Sequence, residues 1–313
     1  MDAVMVEQVR RFNRTVTQRV GALNDSYLSR ARPLGQARLL WEISPVGSDV
    51  RLLRSRLDLD SGYLSRLLRS LERDGLIVVE RSGTDGRVRT ARLTSSGLAE
   101  RAELDRRSDE LATSVLGPLS AGQRARLVTA MAEVERLMVA SAVQLTVRDP
   151  RDPAARSCLR AYFSELVQRF EHGFDPALGQ PAGDAELSPP AGLLLVASLH
   201  EEPAGCGALI FHDETGRQGD HGMRRWAHIK RMWVAPDLRG LGLGRRILAG
   251  LEARAAAAGA DTIRLDTNRV LTEAISLYRA SGYREVPAFN HERYAHHWFE
   301  KTLDSAAPAD EQR

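Results

Sequence analysis

"RGLGLGRR" (Arg239–Arg246) follows a strand-like run, "HIKRMWVAP" (His228–Pro236), and opens what reads as a helix over Leu243–Ala258. Gly240, Gly242 and Gly244 stand at alternate positions, and without a Cβ the backbone can approach a ligand closely. The helix that follows aims its positive end at the turn, where unpaired amides suit an anion. The amides of Gly240, Leu241, Gly242, Leu243, Gly244 and Arg245 are therefore expected to face a phosphate group, with Arg239 and Arg245 adding charge. A dinucleotide fold also uses a glycine-rich turn, with an acidic residue ~20 positions on to hold a ribose. Asp266 meets that spacing. However, the turn comes late in its half of the chain rather than after a first strand. Pro236 lies just beyond the strand and removes a ladder donor, so the strand is expected to part from its neighbour. Free amides and carbonyls around Met232, Trp233 and Val234 could then pair with an extended amide-bearing molecule.

Pantetheine is such a molecule, and its pyrophosphate would reach the glycine turn. Arg239, Gly242 and Gly244 also satisfy the pattern Arg/Gln-x-x-Gly-x-Gly/Ala, and "LTEAISLYRASGYREV" (Leu271–Val286) supplies Leu-Tyr-x-x-x-Gly-Tyr. With "LTVR", "AARSCLRAYFSELVQRF", "TIRLDT" and "HHWFEKTL" around them, these residues resemble the GNAT superfamily of acetyl-CoA-dependent N-acetyltransferases across about 145–304. The resemblance implies acetyl-CoA as cofactor, an amine acceptor, an oxyanion donor among the amides of Met232–Val234, and Tyr278 as general acid toward the leaving thiolate. It also brings one departure. Many relatives carry Asn seven positions before this Tyr, where Leu271 stands here, and Asn268 is the nearest candidate for that contact. His228 shares a strand face with Lys230 and Met232 and is a candidate general base, with a water chain as the alternative. His296 and His297 could line the acceptor pocket or support Trp298, and "HGFDP" (His172–Pro176) follows the first helix, where acceptor sites gather.

The other half has a different character. A helical period runs over Gln123–Leu145 behind a capping box of Ser120 and Gln123. "LTVRDPRDPAARS" then breaks it with two prolines, which puts the domain boundary near residue 143. Within Ser48–Gly97, Val50, Leu53 and Leu57 form one helical stripe, and Leu64, Leu67, Leu68 and Leu71 form another. Asp60 or Ser61 can cap the second helix, and Gly75 suits its left-handed end. "LIVVER" and "RVRTARLT" flank "SGTDG", a hairpin turn. A helix-turn-helix followed by an Arg-rich hairpin reads as a winged helix whose second helix enters the major groove. Ser61, Tyr63, Ser65, Arg66 and Arg69 lie on the helix's polar face, and Arg81, Arg87 and Arg89 lie on the hairpin. Flanking helices carry apolar stripes, including Val9, Phe12, Val16 and Leu23, that a second copy of the chain would cover.

"DSGYLSRLLRSLERDGLI" (Asp60–Ile77), "DGRVRTARLTSSG" (Asp85–Gly97) and "PLSAGQRARL" (Pro118–Leu127) resemble the MarR family of transcriptional regulators over about 1–142. The resemblance implies a homodimer on pseudo-palindromic operator DNA, with Asp85 and Arg87 at the wing tip supporting the hairpin and touching DNA.

Charge divides the same way. Residues 1–142 carry a net +5 with arginine as the sole strong base, and the remainder carries −2. Cys158 and Cys206 form no metal-ligand spacing and read as reduced apolar residues, which suits a cytoplasmic protein. No apolar run spans a membrane, and the first residues lack a secretory signal pattern. The fold expected is therefore two domains: an all-α-rich winged helix-turn-helix with an α/β wing (1–142), then an α+β GNAT fold with a central mixed, splayed sheet (143–304), and a disordered tail (305–313). The function expected is DNA binding together with acetyl transfer from acetyl-CoA to an amine. The alternative is a regulator whose second domain only senses acetyl-CoA or an amine.

Overall fold

The computed structural model describes residues 2–20, 28, 32–81, 88–171, 173–179, 182–215 and 223–303. The chain divides into two compact units, Met1–Ala132 and Glu133–Arg313.

In the first unit, helix α1 (Ala3–Arg19) is capped by Asp2, whose carboxylate accepts from the Val4 amide at 2.9 Å. None of its residues is buried, and Val9, Phe12 and Val16 stand exposed. Leu23 lies outside the described residues. The chain continues through α2 (Leu34–Glu42), the short strand β1 (Ser48–Asp49), α3 (Val50–Arg56) and α4 (Ser61–Arg73). Asp60 is the cap of α4, accepting from the Tyr63 amide at 2.8 Å. Gly75 ends the helix at φ +70°, the left-handed conformation that favours glycine. Leu64, Leu67, Leu68 and Leu71 all face a core shared with Leu39, Leu40, Leu53 and Leu104. Burial of each such side chain contributes roughly 1.5–3 kcal/mol.

Strands β2 (Ile77–Arg81) and β3 (Arg89–Leu93) pair antiparallel, from Ile77 opposite Leu93 to Arg81 opposite Arg89, and β1 adds to the other edge of β3. Asp85 and Arg87 lie outside the described residues. Helix α5 (Ser95–Leu116) is capped by Thr94, and α6 (Ala121–Ala142) opens with the capping box. Gln123 Oε1 accepts from the Ser120 amide at 2.9 Å, and Ser120 Oγ accepts from the Gln123 amide at 3.4 Å. The helix stops at Ala142, three residues short of the periodic stretch in the sequence. Val143 turns into the core, and Gln144 and Leu145 enter a strand whose pairing outweighs the helical period.

That strand is β4 (Gln144–Arg148), and α7 (Pro153–Arg169), β5 (Gly192–Leu199), β6 (Glu202–Thr215) and β7 (Met223–Val234) follow it. Beyond the glycine turn come α8 (Leu243–Ala257), β8 (Thr262–Thr267), α9 (Thr272–Ala280), β9 (Arg284–Val286) and β10 (His297–Thr302). The seven strands are ordered β4-β5-β6-β7-β8-β10-β9. Among the described residues β7 and β8 pair parallel, and the other neighbours of this sheet pair antiparallel. Four strands joined by antiparallel pairings, β4 to β7, precede the glycine turn, which excludes the doubly wound dinucleotide fold.

The parallel pairing runs from Trp226–Thr262 to Ile229–Leu265 and then stops, although β7 continues to Val234. The parting therefore begins well before Pro236. Its cause is a bulge: Arg231 and Met232 together oppose Gly207 on β6, and Arg231 has φ +58°. Pro236 merely starts the short turn Pro236–Leu238 beyond the strand. Among the described residues, no helix is long and apolar enough to cross a membrane.

Candidate functional site

The glycine turn holds an uncapped helix end. Gly242 is the N-cap of α8 at φ +76°, with no side-chain hydrogen bond to the first turn. Gly240 has the same φ, so both positions need glycine for conformation. Gly244 is in the helix proper, and there a Cβ would stand 3.3 Å from Leu277 Cδ2. The first hydrogen bond within α8 runs from the Arg246 amide to the Gly242 carbonyl at 3.0 Å. The amides of Leu243, Gly244 and Arg245 therefore have no partner inside the helix.

These amides border a cavity of about 550 Å³. Its walls include Met232, Trp233, Val234, Arg239, Gly240, Gly242, Leu243, Gly244 and Arg245, with Leu277 and Tyr278 opposite. The sequence-predicted residues thus meet on one surface, with exceptions. Leu241 is not on that wall, and neither is Asn268, whose amide group is engaged locally. Asn268 Nδ2 donates to the Tyr294 carbonyl at 2.8 Å, and its Oδ1 accepts from the Val270 amide at 3.1 Å. Arg239 is on the wall but its guanidinium is committed elsewhere: Nε donates to the Val234 carbonyl at 3.0 Å and Nη2 pairs with Glu165. Glu165 also accepts from Trp233 Nε1 at 2.9 Å and pairs with Arg169 at 3.1 Å. Burial alone would raise the Glu165 carboxyl, and its hydrogen bonds from Arg239 and Arg169 hold it below the usual carboxylate range. Arg239 thus ties the turn to the end of β7. Arg245 is exposed and stands on the cavity wall.

A second cavity, of about 130 Å³, adjoins it and shares Tyr162, Leu166, Met232, Leu271, Ala274 and Tyr278. Tyr278 is buried, and burial pushes its phenol above the ordinary tyrosine value. Asp266 lies on the wall of this second cavity; His228 does not. His228 is buried behind it, with Nε2 2.7 Å from Asp266 Oδ1 and its ring against Trp226 and Phe289. Burial lowers its pKa, so the imidazole is neutral near pH 7 and positions Asp266 by donating to it. Burial would raise the Asp266 carboxyl, but the hydrogen bond from His228 and the charge of Lys230 keep it ionised. In the sequence Asp266 is marked only by the dinucleotide spacing. Its placement depends on the register of β8, which no local motif reports.

His296 and His297 do not reach either cavity; His297 Nδ1 lies 2.6 Å from Glu285 Oε1. Trp298 donates to Asn290 Oδ1 at 2.8 Å. In "HGFDP" the described part includes Phe174, which lines the second cavity, while His172 lies outside the described residues. Cys158 and Cys206 are buried free thiols.

On the first unit, Ser61, Arg66 and Arg69 are exposed near the start of α4, while Tyr63 and Ser65 are half-buried. The Arg66 guanidinium lies 5.6 Å from the centre of the Tyr63 ring, and Arg69 Nε donates to the Ser65 carbonyl at 3.3 Å. Arg81 and Arg89 are exposed and directly opposite one another, an arrangement that costs stability unless an anion lies across it. Among the described residues none of Arg66, Arg69, Arg81 and Arg89 has an acidic partner.

Residues 155–283 match the family model of the acetyltransferase (GNAT) family, and residues 28–88 match that of the MarR family. The IAA acetyltransferase of Azospirillum brasilense is 34% identical over 126 residues, covering 40% of this chain and 76% of its own length. An uncharacterized N-acetyltransferase of Schizosaccharomyces pombe is 28% identical over 137 residues, 41% of this chain and 78% of its own. The crystal structure of the PcaV transcriptional regulator from Streptomyces coelicolor, solved with its natural ligand, is similar at 25% identity over 41% of this chain and 89% of its own, with TM-score 0.33.

Proposed function

Because the chain belongs to the GNAT acetyltransferases through its second unit and carries a MarR-family winged helix in its first, we propose that it binds operator DNA and transfers an acetyl group from acetyl-CoA to an amine. The observation that carries the enzymatic half is the uncapped α8 N-terminus at Gly242, opening on the same cavity as the unpaired edge of β7. This chemistry fits acetyl-CoA: amides and Arg245 for a pyrophosphate, free strand groups for pantetheine amides, and Tyr278 at the far end.

Bound acetyl-CoA would supply a thioester carbonyl at which the amine nitrogen forms the new C–N bond while the C–S bond breaks. The main chain around Met232, past the end of the β7–β8 pairing, donates to the carbonyl oxygen as it gains charge. Tyr278 gives its phenolic proton to the departing sulfur. The amine must arrive neutral, and the proton its nitrogen loses passes to the ionised carboxylate of Asp266, which His228 and Asn290 hold in place. Spectrophotometric thiol release with a panel of amines tests this reading. Amine-dependent release is expected; tight acetyl-CoA binding with hydrolysis alone would make the unit a sensor.

For the first unit, the reading is a homodimer whose α4 helices enter successive major grooves while Arg81 and Arg89 meet phosphates. Arg89→Ala is expected to weaken binding to the gene's own upstream DNA by roughly tenfold at physiological salt and to lower the salt slope by about one. Fluorescence anisotropy across a salt series reads both values, and an unaltered slope places Arg89 off the phosphates. The dimer rests on α1, a helix with none of its 17 residues buried, whose exposed Val9, Phe12 and Val16 a second copy would cover. Phe12→Glu should shift the full chain from dimer to monomer by sedimentation at micromolar concentration. A dimer of undiminished affinity would assign the interface elsewhere.

A further inference from the structure

Lys230, Arg231 and Met232 are consecutive residues of β7, yet all three line the second cavity. Regular strands send successive side chains to opposite faces. The bulge and the positive φ of Arg231 remove that alternation and bring an extra cation to the wall. A non-glycine residue in this conformation is strained, and such strain persists where the surroundings enforce it.

The other charges of the cavity are matched within the protein. Lys230 Nζ stands 3.4 Å from Glu292 and 4.0 Å from Asp266, which also accepts from Asn290 Nδ2 at 2.9 Å. Arg231 is the exception. One Nη donates to the Ala182 carbonyl, and the guanidinium lies 5.2 Å from the centre of the Phe163 ring. Among the described residues no carboxylate stands within ion-pair distance. Asp184 is held by Arg156 at 2.6 Å, and Glu186 accepts from the Gly183 amide at 2.8 Å. Burial lowers the Arg231 pKa, the mark of a desolvated cation. A guanidinium has five donors in a planar fork that matches a carboxylate, and among the described residues one of them is used.

Aromatic rings line part of the same wall. Phe163 stacks with Phe174 at 6.0 Å, and Phe174 lies 4.8 Å from Tyr294 and 5.6 Å from Phe170. Such a surface accepts a planar ring. We propose that Arg231 binds the carboxylate of the acceptor, so that the acceptor is an aromatic amino acid or close analogue, its ring among Phe163, Phe174 and Tyr294 and its amine directed toward Tyr278. This rests on the acetyltransferase reading and names the substrate class of the same site.

The test compares L-phenylalanine and L-tryptophan with phenethylamine and tryptamine as acceptors for the full-length chain. The carboxylate-bearing member of each pair should be favoured in kcat/KM by roughly tenfold to a hundredfold, mostly through KM. In Arg231→Gln the ratio within each pair should fall to near one. Calorimetry on the unaltered protein gives a second readout independent of the variant's folding: N-acetyl-L-phenylalanine should bind at least about tenfold more tightly than N-acetylphenethylamine. Equal or better use of the decarboxylated amines, a ratio that survives Arg231→Gln, or no transfer to any of the four while acetyl-CoA binds would each overturn the substrate class. Absence of acetyl-CoA binding would instead overturn the acetyltransferase reading beneath it.

Discussion

Gly242→Val is expected to weaken acetyl-CoA binding by the full-length chain more than a hundredfold, with DNA binding retained. Gly242 sits at φ +76°, and a β-branched residue there forces the chain out of the left-handed region. The amides of Leu243, Gly244 and Arg245 then lose their common aim at the cavity. A Cβ at position 242 would meet no protein atom within 4 Å, so the substitution acts through the backbone conformation and not through a clash inside the protein. Gly259→Val is the control. Gly259 also has a positive φ, +81°, and open space around its Cβ, but it lies after the C-terminus of α8. Both variants should lose ~1–2 kcal/mol of stability, and only the first should lose the cofactor. Equal acetyl-CoA affinity in Gly242→Val and the unaltered protein would contradict the turn assignment.

Tyr278→Phe should lower kcat by roughly a hundredfold to a thousandfold with acetyl-CoA affinity within about twofold of the parent. The ring packs between Tyr283 and Phe299, at 5.9 and 6.0 Å between centroids, and phenylalanine preserves that packing. What it removes is the phenolic hydroxyl of a residue lining both cavities. Because burial raises the Tyr278 phenol above its ordinary value, the group stays protonated across the neutral and mildly alkaline range. The pH–rate profile of the unaltered protein should therefore show no loss of activity from this group below pH ~10. Stopped-time assays of thiol release give kcat, and calorimetry gives affinity. An unaltered kcat would remove Tyr278 from proton transfer.

The periodicity of Leu64, Leu67, Leu68 and Leu71 reveals both a helix and its buried face, because i, i+3, i+4 and i+7 fall on one side. The glycine turn can be read for a similar reason: its requirement is local, a positive φ before a helix. Longer-range features escape. The β7 bulge depends on the register against β6, whereas the nearest breaker visible in the sequence is Pro236. Arg239 looks like an anion ligand until folding brings Glu165, 74 positions away, against it. His228 is visible in the sequence as a strand residue, but its hydrogen-bond partner, Asp266, lies on the parallel strand 38 residues on. Arg231 could not have been singled out, since strand alternation would have put it on the opposite face from its neighbours.

The most direct test is calorimetric titration of the full-length chain with coenzyme A. One molecule bound per chain, with a Kd on the order of 1–100 µM and no comparable heat from Gly242→Val, is the expected outcome. A flat titration with the unaltered protein would contradict the assignment of the parted strands and the α8 N-terminus to acetyl-CoA.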